Sequence, residues 1–250
     1  MYKDLSDGHL ISDKIENNEA FPVGGTSRNR NNTFMVADFS SFEGVFESIK
    51  RTADALKRSA SVKDWYGKLK LDFDYSLFCH MLAFTNVIQK NYPDIINVRK
   101  HNGFYDAKTP KKLSEAVEAK ACACTEFSVL AQGYFQSQNI PTRYVSGDVV
   151  TKGDTDDFGA HSFIALSDGD KQYIYDPVNV IKRADGSLLP RVAEVIDLKS
   201  GFMLETKSMF NKDRWYYASG EKRAFLTNLP TKKSVIPMKE IITINGGGRG

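Results

Sequence analysis

The chain has 250 residues of average apolar content, 26% of them charged, and a net charge of only +3. That length suits one large globular domain or perhaps two, and a nearly balanced charge removes any general electrostatic drive toward nucleic acid. No apolar run approaches membrane-spanning length, and three cysteines, two of them one residue apart, make a poor disulfide framework, so a reducing compartment or a free reactive thiol is expected.

Residues up to about Thr33 are rich in Asn, Asp, Gly, Ser and Arg. Such a composition buries little apolar surface against the entropy of ordering, so 1–33 reads as a loose arm. One domain should follow over 34–244, with a Gly-rich flexible tail at 245–250. The start Met1-Tyr2-Lys3-Asp4 has no apolar core of a secretory signal, so the protein is expected to be cytoplasmic, or exported without a classical signal peptide.

Ser40 followed by Glu43 reads as a capping box, and Phe42, Val45, Phe46, Ile49, Ala53 and Leu56 then keep helical spacing. A second helix is predicted from about Tyr75 to Asn91, apolar on nearly all sides and so central to a helical layer. Cys79 and His80 lie inside it as adjacent residues pointing to different faces, which favours packing over chemistry for both. Thr109-Pro110 reads as an N-cap with proline at the first helical position, opening a short helix to about Lys120. Basic pairs such as Lys111-Lys112 and Lys232-Lys233 read as solvated faces.

From Cys124 to Gln138 the residues Phe127, Leu130, Ala131 and Tyr134 recur at i, i+3, i+4 and i+7, one buried face of a helix. Cys124 sits at its first turn, where unpaired N–H groups and the helix dipole favour thiolate. Small Ala121 and Ala123 flank the approach, and Asn139-Ile140-Pro141 stops the helix. A strand over Arg143–Gly147 follows, then a polar loop, Lys152 to Gly159, and two β-prone runs, Ala160–Leu166 and Gln172–Asp176. If Asp168-Gly169 centres the hairpin turn, partners sum to 337 and His161 lies opposite Asp176. Cross-strand neighbours share a face, so the carboxylate can orient the imidazole. With Cys124 this is the nucleophile, base and orienter set of covalent acyl transfer.

Cys124-Thr125-Glu126-Phe127, Ile140-Pro141-Thr142-Arg143-Tyr144-Val145-Ser146-Gly147, Ala160-His161-Ser162-Phe163 and Tyr175-Asp176-Pro177 resemble the four blocks of the transglutaminase-like core, a superfamily related in fold to papain. The resemblance covers roughly residues 105–180 and implies Cys124 as nucleophile, His161 as general base and acid, and Asp176 as the orienting group. The chain departs from the family pattern at Cys122 and Asn139, where glycine is usual, and at Phe163, where tryptophan is common.

The expected fold class is α+β, a papain-like or transglutaminase-like core with a helical layer packed on an antiparallel β-sheet and a catalytic domain spanning 34–244. The expected function is a thiol acyl-transfer enzyme acting on protein amides: a transglutaminase, a deamidase or a cysteine peptidase. Its partner would be a protein or peptide substrate, with no nucleic acid, no membrane and no stated oligomeric state. The alternative is a non-catalytic protein-binding module that keeps the fold. A peptide N-glycanase fits less well, since the zinc-binding cysteine set usual there is missing from the sequence. The divergent blocks and polar arm also suit a bacterial effector that modifies a host glutamine.

No cofactor is expected. A zinc site from Cys122, Cys124 and His161 lacks the usual Cys-x₂-Cys spacing. Asp154-Thr155-Asp156-Asp157 reads as a solvated acidic loop rather than a calcium site. Gly186 marks a turn, and Val192–Leu198 is β-prone or a short helix. The aromatics Phe210, Trp215, Tyr216 and Tyr217 are candidates for a substrate wall. Ala224–Leu229 and Ser234–Ile244 read as late strands.

Overall fold

The computed structural model describes residues 2–4, 10–12, 14–23, 34–69, 73–105, 109–151, 158–168, 171–184, 186–199, 203–208 and 215–218. The acidic loop at 154–157, Phe210 and the late strands after 224 lie outside them.

Helix α1 (Glu43–Arg58) follows a 3₁₀ turn over Phe39–Phe42 and buries Phe46, Ile49 and Ala53 along one stripe. The stripe packs on α3 (Tyr75–Asn91), while α2 (Ala60–Leu69) links the two. The expected Ser40–Glu43 capping box does not form. Ser40 falls inside the 3₁₀ turn, and Asp38 holds that turn by accepting the Ser41 hydroxyl at 2.9 Å. Helix α3 matches its predicted span, opens on the Asp74 carboxylate accepting the Leu77 N–H at 2.9 Å, and is buried without a break from Leu77 to Thr85. Phe84 packs on Phe135, and both are wholly buried. Each such side chain contributes roughly 2 to 3 kcal/mol.

Within the stretch read as a loose arm, strand β1 (Tyr2–Asp4) pairs with β2 (Leu10–Ser12), and β3 (Glu19–Pro22) pairs with β4 (Phe34–Ala37). Ile15 and Phe21 are buried, and Phe21 meets Tyr144 edge to face at 4.7 Å. A composition average hides so sparse an apolar pattern, because a few residues suffice where an existing strand edge and core receive them. The short helix α5 (Leu113–Glu118) starts later than Thr109-Pro110 suggested. Lys111–Lys112 form β5, parallel to β4, and Glu115 accepts the Lys112 N–H at 2.6 Å.

Strands β6 (Thr142–Thr151), β7 (Phe158–Asp168), β8 (Lys171–Lys182), β9 (Leu188–Lys199), β10 (Met203–Ser208) and β11 (Trp215–Ala218) pair antiparallel in succession. β11 then pairs with β6, so the meander closes on itself. β2 adds to β6 beside it. The turn expected at Gly186 is present, with φ +80° there and its N–H donating to the Arg183 carbonyl.

Helix α6 (Cys124–Ser137) packs against β6, β7 and β8, and every residue from Thr125 to Phe135 is buried. The periodic face read from sequence is therefore only part of its buried surface. At Gly133 an added methyl would overlap the Phe39 ring, so only glycine lets that ring lie against the helix. The helix ends in a left-handed cap: Asn139 has φ +56°, its N–H bonds to Gln136 O, and the Ile140 N–H bonds to Phe135 O. Asparagine tolerates that conformation, which is how it stands where glycine is usual.

Candidate functional site

The approach to Cys124 is clamped on both sides. After α5, Lys120 turns through φ +51° and the Ala121 N–H closes the helix on the Ala116 carbonyl. Cys122 then bridges to the loop after α3: its N–H donates to Ile95 O at 3.2 Å and its carbonyl accepts the Asn97 N–H at 2.9 Å. The Cys122 side chain is fully buried, and burial pushes its thiol well above the ordinary value. Cys124 follows as the first residue of α6 and stays partly exposed. The two neighbouring thiols thus differ in both access and acidity.

The β7–β8 ladder differs from the predicted one by two residues. Ile164 pairs with Tyr175 and Asp168 with Lys171, so partners sum to 339 rather than 337. A two-residue shift preserves the face of every side chain, whereas a one-residue shift would not. His161 and Asp176 thus become diagonal rather than direct neighbours, and His161 Nε2 lies 2.7 Å from Asp176 Oδ2.

Asp176 sits where β8 loses register with β9. Pro177 has no N–H for the ladder, and Asp176 Oδ1 accepts the next two, from Val178 at 3.2 Å and Asn179 at 3.1 Å. The Asn179 amide donates to Asp176 Oδ2 at 2.9 Å and lies 3.3 Å from His161 Nε2. Arg191, opposite Asp176 in the ladder, donates from Nε to the Asn179 carbonyl at 2.7 Å. Asn179 was missed by the sequence reading. Asp-Pro was the available signal, since it marks a turn whose freed N–H groups the aspartate can take.

His161 and the Ser162 N–H both act on the Cys124 thiol in the direction of the thiolate. Nε2 is the ring nitrogen that Asp176 engages. Burial alone would push the thiol up, but His161's hydrogen bond and charge and the Ser162 N–H outweigh it, and the thiol lies below its ordinary value. Burial opposes the His161 imidazolium as well, yet the Asp176 charge and hydrogen bond raise it to about 10. Asp176, despite complete burial, is held below the usual carboxylate range chiefly by the charge of His161. All three directions favour the charged forms: thiolate at Cys124, imidazolium at His161 and carboxylate at Asp176.

Residues 86–177 match the family model of the transglutaminase-like superfamily. Over this segment, less than half of the chain, the sequence is similar to that superfamily. The superfamily includes cysteine-based acyltransferases and peptidases. No curated protein and no solved structure matches the chain. The transglutaminase-like segment begins on α3 and ends at Pro177, so it contains α5, α6, β6, β7 and the first half of β8 together with Cys124, His161 and Asp176.

A second cluster inside the transglutaminase-like segment escaped the sequence reading. Asn97 caps helix α4 (Val98–Phe104) by accepting the Lys100 N–H at 3.0 Å. That helix brings His101 Nδ1 to 3.3 Å from the Ala121 carbonyl and 3.4 Å from Glu126 Oε1. Glu126 reaches back to the start of its own helix, where Oε2 accepts the Ala123 N–H at 2.8 Å. Tyr105 donates to Oε1 at 2.9 Å. Of the aromatics considered as a substrate wall, Trp215, Tyr216 and Tyr217 lie on β11. Among the described residues no group of three or more His, Cys, Asp or Glu is placed to hold a metal.

Proposed function

We propose that the protein is a thiol acyl-transfer enzyme acting on protein amides, with Cys124 as nucleophile, His161 as acid and base, and Asp176 as the group that orients His161. The observation that carries this is a partly exposed Cys124 at the first turn of α6, together with His161 held at 2.7 Å by a fully buried Asp176 on the neighbouring strand. A core cysteine kept for packing needs neither a lowered pKa nor a charged histidine beside it.

In this reading the Cys124 thiolate attacks the amide carbonyl carbon. Ala123 gives its N–H to Glu126, so the N–H groups of Cys124 and Thr125 are the oxyanion donors at the start of α6. The tetrahedral intermediate collapses with cleavage of the C–N bond, and His161 passes its proton to the leaving amine. A thioester and a neutral imidazole remain. Water or a second amine then attacks, His161 takes the proton of the incoming group, and the thiolate leaves. Water on a peptide yields a peptidase, water on a glutamine side chain a deamidase, and an amine on glutamine a transglutaminase.

One sample separates these outcomes. Cell lysate is incubated with the protein and a tagged amine, and then assayed for tag incorporation, ammonia and new peptide termini. Transglutaminase activity gives tag and ammonia, deamidation gives ammonia alone, and cleavage gives new termini. All three signals should vanish in Cys124→Ala. If wild-type protein produces none of them and iodoacetamide labels Cys124 no faster than Cys79, the protein-binding scaffold is left as the reading.

A further inference from the structure

The proposed chemistry makes no use of Glu126, although its carboxylate is completely buried two residues after the nucleophile. Its geometry explains part of its presence, since it binds the Ala123 N–H and so closes the first turn of α6. That service has an electrostatic cost. A buried anion so near the sulfur opposes the thiolate, and Glu126 is among the influences that push Cys124 upward.

His101 supplies the opposite sign at the same place. Its Nδ1–H is shared between Glu126 Oε1 and the Ala121 carbonyl, and its side chain is 13% exposed. Burial disfavours the imidazolium, but Glu126's hydrogen bond and charge and the Ala121 carbonyl outweigh it, and the net direction is upward. The Cys124 charge contributes in the same direction. His161 belongs to strand β7 and His101 to helix α4, so they come from different elements.

We propose that His101 is a positioning residue for Cys124: paired with Glu126, it supplies the cation that lets a buried carboxylate close the start of α6 without suppressing the thiolate. This rests on the acyl-transfer reading and adds to it a second histidine–carboxylate pair beside the nucleophile. The groups that bear on the Cys124 charge are His161 from β7, Tyr144 from β6, Glu126 from α6 and His101 from α4. Tyr144 and the neighbouring Tyr105 and Cys122 are all pushed upward chiefly by burial and remain protonated at neutral pH, which leaves three charges. Removing His101 alone leaves a net negative neighbour, whereas removing both members of the pair leaves none.

The test follows iodoacetamide labelling of Cys124 by peptide mapping across pH 5 to 10 in wild type, His101→Gln, Glu126→Gln and the double variant. The labelling midpoint should rise by about one unit in His101→Gln, or about tenfold slower labelling on the acid side, and return to the wild-type position in the double variant. A purely structural pair would leave the midpoint unmoved, and that result overturns the inference while sparing the acyl-transfer reading. A double variant that stays with His101→Gln overturns it too. Wild-type Cys124 labelling no faster than Cys79 overturns both. Should His101→Gln not fold, the reciprocal measurement uses native protein: the His101 ring, followed by NMR, should titrate lower once Cys124 is carbamidomethylated. An unchanged titration overturns the inference.

Discussion

His80 and His161 are almost equally hidden, 5% and 6% exposed, and they titrate on opposite sides of neutrality. His80 lies between Tyr134, whose hydroxyl is 2.7 Å from Nδ1, and Lys57, whose Nζ is 2.9 Å from Nε2. An ammonium group can only donate, so Nε2 must accept and the ring stays neutral. Burial first and the Lys57 charge second push His80 down to about 4. Burial opposes the His161 imidazolium too, but it faces a carboxylate, and it rises to about 10. Burial therefore does not decide what a histidine can do; the sign of its neighbour does. One ring is a neutral strut between helices, and the other is a cation held against a carboxylate.

The strongest way to break that comparison is Asp176→Asn, which keeps the shape of the side chain and removes its charge. His161 should then titrate far lower, and acyl transfer should fall by about three to four orders of magnitude, the loss known for an orienting aspartate in other triads. Tagged-amine incorporation or hydrolysis measures the rate, and NMR measures the ring. A variant that keeps both would show that His161 owes its charge to something else.

A smaller effect separates the two rings by stability. His80, depressed in the fold, binds fewer protons folded than unfolded between about pH 4 and 6.5, so it withdraws stability as pH falls through that window, up to roughly 3 kcal/mol. His161, raised in the fold, contributes stability below pH 6.5 that is lost as pH climbs toward about 10. Lys57→Met should lift His80 and shrink the acid loss by about 1 kcal/mol at pH 4.5, with Cys124 labelling untouched. Urea unfolding at pH 4.5 and 7 reads the first, and peptide mapping reads the second. Equal acid loss in both proteins would remove Lys57 from the account of His80.

The legibility of these sites followed the distance over which their parts are brought together. Cys124, His161 and Asp176 could be read because a helix start and a hairpin are local objects, and even a register error of two residues left the histidine and aspartate on one face. His101 and Glu126 could not be read this way. Their meeting depends on the Cys122 bridge to Ile95–Asn97 and on where Asn97 starts α4, contacts with no periodic signature. The Ser40–Glu43 and Thr109-Pro110 signals failed because a 3₁₀ turn and a two-residue strand competed for the same backbone groups. Closure of the sheet through β11 and β6 was likewise invisible, since it joins strands more than sixty residues apart.

Asn179 gives the finest test, because its side chain and its backbone do separable work. The Asn179 N–H holds Asp176 Oδ1 at 3.1 Å and survives in Asn179→Ala, so the turn after Pro177 should persist. What disappears is the amide donor 2.9 Å from Asp176 Oδ2, the same oxygen that meets His161. A carboxylate deprived of that donor is free to lean away from the ring. A single hydrogen bond of about 0.7 kcal/mol then corresponds to about a threefold loss in acyl-transfer rate, with His80 unmoved. A change in melting temperature with no change in rate would make Asn179 a support of the strand alone, and the orientation of His161 would fall to Asp176 unaided.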